Sequence, residues 1–139
     1  PGCALTADMI TGFPGETEAD QAAAVAFLEQ VGFAAVHVFP YSRRPGTKAD
    51  AMPEQLSHAV KSARAHEAQR VADACKQRYL VQQVGQTLPG LFETEHDGSW
   101  VGHSDNYCLV RAAGDDLRGL VKNVKISAVS GQMLVGDLV

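Results

Sequence analysis

Between Glu54 and Gln83 the chain has neither glycine nor proline and is rich in alanine, the best helix former, so this stretch predicts one long helix. Pro53, just ahead of it, suits the first helical position. Leu56, Val60, Ala63, Val71, Cys75 and Tyr79 fall loosely on one side of this helix, while His58 and His66 sit among alanines on a solvated face. An uninterrupted helix of that length divides the chain into two parts, and the two differ in texture.

The part ahead of the helix alternates element types. Leu5 to Ile10 is apolar apart from Thr6 and Asp8 and reads as a short buried strand, running into the turn-rich Gly12-Phe13-Pro14-Gly15. Thr17 with Asp20 three residues on is an approximate capping box. Ala24, Phe27, Leu28 and Val31 then recur at helical spacing, and Gly32 is a natural terminator. Ala34 to Phe39 is a second strand. A strand–loop–helix–strand unit of this kind makes a parallel pair with a right-handed crossover. Tyr41 to Pro53, with its prolines, glycine and charges, is a loop.

After Gly85 the pattern becomes short β-rich runs: Leu88 to Glu95, Tyr107 to Arg111, Leu120 to Ser127 and Met133 to Leu138. The turn signals His96-Asp97-Gly98, Gly114-Asp115-Asp116 and Ser130-Gly131 separate them, at the spacing of a small all-β barrel. The fold class expected is α/β plus a small all-β domain, with residues 1–82 in the first part and 83–139 in the second.

Apolar residues make up 45% of the chain and charged residues 20%, a globular balance. No apolar run approaches the roughly 20 residues of a membrane-spanning helix, so no membrane partner is expected. The net charge of −4 does not advertise nucleic acid, and only residues 54–82 carry more basic than acidic groups. The start, Pro1-Gly2-Cys3, has no initiator methionine and no basic stretch before an apolar run, which reads as a fragment. Cys3, Cys75 and Cys108 are far apart, with no CxxC or CxxxCxxC spacing, so no metal or iron–sulfur site is encoded locally. Idle thiols of this kind point to an intracellular, cytoplasmic compartment.

Two loops carry chemistry. Gly12 to Thr17 lies where a strand ends and a helix begins, the edge at which parallel folds bind ligands. Its glycines let backbone approach closely, and the helix start behind them presents N–H groups. The residues fit neither a P-loop nor GxGxxG; read alone they are equally a plain turn. Phe39 to Thr47 follows the second strand on the same edge and brings an aromatic ring, a hydroxyl and two guanidinium groups, which suit an anionic ligand or simply a solvated loop. His37, inside a strand, reads as a hydrogen-bonded core residue, and Trp100 reads equally as core or as a further stacking ring. His96 and His103 lie near turns without partners in register. No nucleophile–base arrangement stands out, so no catalytic residue is expected in this chain.

Asp8-Met9-Ile10-Thr11-Gly12-Phe13-Pro14-Gly15-Glu16-Thr17 resembles the DxIxGFPGET signature of the radical S-adenosylmethionine methylthiotransferases. His37 to Ala49 resembles that family's FxYSxRPGTxA segment. The tail resembles the TRAM module, an OB-like RNA-binding β-barrel, through Val84, Gly85, Gly102, Tyr107, Gly119 and Val124. The resemblance implies the C-terminal part of a partial TIM-like radical barrel followed by a TRAM barrel. It also implies S-adenosylmethionine and two [4Fe–4S] clusters as cofactors, with the cluster cysteines in a preceding N-terminal part. The partners it implies are that N-terminal part and tRNA, through the anticodon stem-loop. Carried over, Gly12, Phe13, Pro14, Gly15 and Glu16 would line the cofactor side, and Tyr41, Ser42 and Arg43 the substrate cleft. Tyr107, Arg111, Lys122 and Lys125 would contact RNA.

The form HVFPYSxRPGT looks most like the branch that adds a methylthio group to C2 of N6-threonylcarbamoyladenosine in tRNA. The isopentenyladenosine branch follows closely, and a ribosomal-protein branch stands third. Without the cluster cysteines this polypeptide alone is expected to be inactive. The competing function is a stand-alone RNA-binding TRAM module.

Overall fold

The computed structural model describes residues 3–139, which form two compact units, Leu5–Lys76 and Gln77–Val139, the latter together with Cys3 and Ala4.

In the first unit β1 (Thr6–Thr11) and β2 (Ala35–Pro40) pair in parallel through the helix α1 (Glu18–Val31). The capping box is complete: the Thr17 hydroxyl accepts from the Asp20 N–H (3.1 Å) and the Asp20 carboxylate accepts from the Thr17 N–H (2.9 Å). That second bond holds the Asp20 carboxyl below the ordinary carboxylate range. Gly32 ends the helix with its N–H donating to the Leu28 carbonyl.

One face of the β1–β2 pair is covered. Ala7, Met9, Val36 and Val38 pack with Val25 and Leu28 of α1 and with Ala68 and Ala72 of α2 (His58–Gln82). The stripe expected on α1 is only half right, since Leu28 is buried but Phe27 stays 55% exposed, its ring edge-on to Phe33. The opposite face of the pair, with Asp8, Ile10, His37 and Phe39, is exposed. His37 is therefore no core residue; its side of the strand has nothing packed on it. Parallel sheets are ordinarily covered on both faces, so this bare face is the conspicuous feature of the unit.

The long helix starts later than its composition predicts, and Pro53 is not its first residue. Glu54 takes a left-handed φ of 62° and folds the chain back, so that its carbonyl accepts from the Gly15 N–H (3.1 Å). Ser57 then caps the helix, its hydroxyl accepting from the Val60 N–H (3.3 Å).

The second unit is a closed five-stranded barrel in the order β3 (Thr87–His96), β4 (Ser99–Ser104), β5 (Leu109–Ala113), β7 (Met133–Leu138), β6 (Val121–Ser130). The strand Ser99–Ser104 is absent from the sequence reading because Ser, Gly and His interrupt its apolar alternation. The Asp97-Gly98 turn that precedes it has positive φ at both residues, the hairpin geometry that matches strand twist. Phe92, Trp100, Val110, Val124, Ile126 and Leu134 fill the barrel.

The unit begins within α2, ahead of residue 83, because Tyr79, Leu80 and Gln83 are buried in it. Asn106 Nδ2 donates to Tyr79 Oη (3.1 Å) and to Gln83 Oε1 (3.1 Å). Burial raises the Tyr79 phenol above its usual value of 10.0. A raised folded-state value makes this contribution whole below the unfolded value and lost as pH rises through the folded one. Stability should therefore decline above about pH 10, and Tyr79→Phe should flatten that decline in unfolding curves taken from pH 8 to 11. Among the described residues no helix is long and apolar enough to cross a membrane.

Candidate functional site

Parallel pairing puts the carboxyl ends of β1 and β2 side by side, with Ile10 opposite Phe39 and Thr11 opposite Pro40. The two loops singled out in the sequence therefore leave from one edge and meet: the Phe13 and Tyr41 rings lie 5.3 Å apart, edge to face. The Tyr41 N–H donates to the Thr11 carbonyl (2.8 Å) and continues the pairing past the strand end.

Beside Tyr41 lies a cleft of about 630 Å³, lined by Ile10, Phe39, Pro40, Tyr41, Ser42, Arg44, Thr47 and Ala49. That volume lies in the range of small-molecule sites, and the mixture of apolar floor with a few polar groups is characteristic of them. The Tyr41 hydroxyl is buried and has no hydrogen-bond partner among the described residues, and Lys61 Nζ stands 5.6 Å from the centre of its ring. An orphaned buried hydroxyl is a group a polar ligand would satisfy.

The guanidinium groups divide. Arg43 is tied to Asp50, Nε to Oδ1 at 2.7 Å and Nη2 to the carbonyl at 2.9 Å. Arg44 lines the cleft instead, on a turn in which its carbonyl accepts from the Thr47 N–H (3.2 Å) and hydroxyl (2.8 Å). Tyr41 and Ser42 line this cleft, and the cation beside them is Arg44. The signature FxYSxRPGTxA already separates the two, with Arg43 on its variable position and Arg44 on its fixed arginine, and Asp50, seven residues past Arg43, supplies the physical reason.

The Gly12–Glu16 loop is not the free N–H cradle its sequence suggests. Both Glu16 carboxylate oxygens accept from the Gly12 N–H (2.9 and 3.0 Å), the Glu16 N–H donates to Phe13 (2.9 Å) and the Gly15 N–H to Glu54. Glu16 is further clamped by Arg64 of α2, Nη1 to Oε1 at 2.7 Å and to the Glu16 carbonyl at 2.9 Å. Arg64 Nη2 also reaches Glu18 at 2.6 Å, the bond that most raises the Arg64 pKa. Yet the Glu18 side chain is 88% exposed and screened by water, whereas those of Arg64 and Glu16 are 7% and 15% exposed. The Glu16 contact is therefore the energetic one. Of the five loop residues expected to meet a cofactor, Gly12, Gly15 and Glu16 spend the polar groups just described on one another, Phe13, Glu54 and Arg64, and Pro14 is buried. Phe13, 41% exposed, is left to offer surface.

Gly12 itself allows no other residue. Its φ is 71°, and a Cβ there would sit 3.1 Å from the Lys61 Cα and closer still to its side chain. Arg64, Lys61 and Glu54 were invisible as site residues because their link to this loop spans dozens of positions.

Among the described residues no group of three or more His, Cys, Asp or Glu side chains is placed to hold a metal ion. Cys75 and Cys108 are buried, and the Cys75 thiol donates to the Leu28 carbonyl (3.4 Å). This donor set does not fit an iron–sulfur cluster.

On the barrel, Tyr107 is 86% exposed in the β4–β5 turn. Arg111 is exposed on β5, and Lys122 and Lys125 on β6, where Lys125 Nζ donates to the Gly85 carbonyl. These four residues are spread over strands that are not all neighbours, so they do not form a single stripe.

No family model matches the chain. It is 38% identical over 132 residues to the threonylcarbamoyladenosine tRNA methylthiotransferase MtaB of Bacillus subtilis, covering 91% of this chain and 29% of that protein. It is 39% identical over 141 residues to the tRNA-2-methylthio-N(6)-dimethylallyladenosine synthase of Maricaulis maris, covering 99% and 31%. The protein of that name from Campylobacter jejuni is 35% identical over 141 residues, covering 100% and 33%. The chain thus spans 29–33% of the length of these curated relatives.

Proposed function

Because the chain is homologous over nearly its whole length to the C-terminal part of the tRNA methylthiotransferases, we propose that it is the portion of such an enzyme that shapes the substrate cleft and contacts tRNA. The observation that carries this reading is the shared edge of β1 and β2, where the two signature loops meet beside the cleft. The bare face of β1–β2 supports the companion proposal, that this unit completes a radical barrel whose interior this face lines, with Ile10 and Phe39 at the carboxyl ends turned to the cleft.

S-Adenosylmethionine and the two [4Fe–4S] clusters supply the radical and the sulfur chemistry when bound, and their thiolate ligands are assigned to the rest of the enzyme. This chain's residues bind and orient. Ile10, Phe39 and Phe13 offer apolar surface to a nucleoside and keep water from it, Tyr41 offers an unpaired hydroxyl, and Arg44 offers a cation. Tyr107, Arg111, Lys122 and Lys125 contact the anticodon stem-loop.

The substrate we propose is N6-threonylcarbamoyladenosine, whose threonyl carboxylate a guanidinium suits; a dimethylallyl group has nothing to give Arg44. Nucleoside analysis tests both levels. Deleting the gene should abolish the 2-methylthio form of threonylcarbamoyladenosine and leave that of dimethylallyladenosine untouched. The reverse pattern reassigns the substrate, and no change in either rejects the function. In the complete enzyme Arg44→Ala should lower kcat/KM roughly 10- to 100-fold, the loss of one charge-assisted hydrogen bond. Arg43→Ala, which breaks an exposed ion pair, should cost less than about threefold.

A further inference from the structure

We infer that the Ser104–Cys108 turn is a preorganised stacking platform for one unpaired nucleobase of a single-stranded RNA loop, with Tyr107 as the platform and Asn106 as its positioning residue. This deepens the tRNA reading and rests on it. Tyr107 holds a left-handed φ of 61°, which a bulky residue rarely adopts, while its ring is 86% exposed. Such a conformation persists only where the surroundings impose it.

Here they do. The Tyr107 N–H donates to the Ser104 carbonyl (3.0 Å) and the Cys108 N–H to Ser104 Oγ (3.1 Å). Ser104 Oγ donates to Asn106 Oδ1 (2.6 Å), and Asn106 Nδ2 donates to Tyr79 and Gln83. Asn106 thus ties the turn to the buried helix end within the same unit. An exposed aromatic ring on a turn fixed this firmly gains nothing for the fold itself.

Next to Tyr107 is a shallow cleft of about 420 Å³ that also includes Leu91, His103 and Val121. These three form one cross-strand row, Val121 opposite Leu91 and Leu91 opposite His103. Leu91 is 41% and Val121 63% exposed. One cation stands on the face of this row: Arg111, two places beyond Leu109, the partner of His103 on β5. Lys122 follows Val121 on β6 and alternates to the other face, and Asp105 lines the cleft beside Tyr107. An apolar floor with an aromatic wall and the Arg111 cation on the same face fits a base whose backbone phosphate runs past Arg111. A base within a duplex cannot be splayed out this way, so the ligand is a single-stranded loop.

The test is fluorescence anisotropy of the full chain with tRNA and with a single-stranded RNA oligonucleotide. Tyr107→Ala should weaken both roughly 5- to 150-fold, the loss of one stacked base, and Tyr107→Trp should retain binding. Asn106→Ala should weaken binding in the native background and add nothing in the Tyr107→Ala background; Asn106→Ser takes its place if alanine unfolds the turn. Binding of tRNA that is indifferent to Tyr107→Ala overturns the platform and leaves the tRNA reading standing. No tRNA binding by the folded native chain overturns that reading and the platform with it. Equal losses from the Asn106 variant in both backgrounds overturn its positioning role. Salt-independent binding that an apolar peptide displaces would make the site a protein-docking surface instead.

Discussion

Replacing Glu16 with alanine should destabilise the Leu5–Lys76 unit by roughly 3–4 kcal/mol, the cost of removing one partner from a buried ion pair. The size of the loss comes from what is left behind. Arg64 has a side chain only 7% exposed, and its Nε already lacks a partner. Without Glu16 the Nη1 group keeps only the Glu16 backbone carbonyl, and Nη2 keeps only the exposed Glu18. The Gly12 N–H loses both of its acceptors as well. Glu16→Gln preserves an acceptor for Gly12 and removes the charge, so it should cost about 1–2 kcal/mol. Arg64→Met, combined with Glu16→Ala, removes the stranded charge and should recover part of the loss, a non-additivity that marks direct coupling. Urea unfolding followed by far-UV circular dichroism of the native chain, the two Glu16 variants, Arg64→Met alone and the double variant measures these values. If Glu16→Ala costs less than about 1 kcal/mol, the loop is not held by this clamp.

The same residue shows where sequence reading reached and where it stopped. Thr17 and Asp20 were legible as a cap because capping is local, decided within one turn of helix. The shared edge was legible too, since a strand–helix–strand unit admits one handedness and one direction for its loops. The clamp on Glu16 is not legible in the sequence because its partner Arg64 lies 48 positions away, beyond any periodicity. Arg43 and Arg44 differ in the signature, where only Arg44 is the fixed arginine, but which one faces the cleft is settled by Asp50 and by the turn closed on Thr47. On the barrel, Ser99–Ser104 escaped notice because a strand whose inward position is a glycine carries no apolar alternation. His37 read as core because strand propensity does not say which face of a sheet is covered.

That glycine supports the second large prediction: Gly102→Ala should prevent the barrel from forming. β3 and β6 each run ten residues and pair with a different neighbour on either side, so each must bend sharply. Each bends at a register shift, between Phe92 and Thr94 in β3 and between Ile126 and Ala128 in β6. A glycine stands opposite each: Gly102 faces Phe92 and Gly136 faces Ile126. The bulge brings backbone to where a side chain would be. A Cβ on Gly102 would fall 1.8 Å from the Leu91 carbonyl oxygen, 2.6 Å from its carbon and 2.7 Å from the Phe92 Cα. All three are main-chain atoms, so no rotamer change relieves the overlap, and β3 must separate from β4. Phe92, fully buried, loses its place when it does. A unit of this size has a total stability on the order of 5 kcal/mol, too little to survive losing one ladder of a closed barrel. Gly119→Ala is the control: φ is 71° there but nothing lies within 4 Å, so its cost should be near 1 kcal/mol. Trp100, the one tryptophan of the chain, is buried in the barrel and reports on it alone. Gly102→Ala should shift its emission to that of a solvated indole without denaturant, and Gly119→Ala should leave it unchanged. Native emission and an unaltered cooperative melt for Gly102→Ala would mean that β3 and β4 do not approach as closely as the bulge requires.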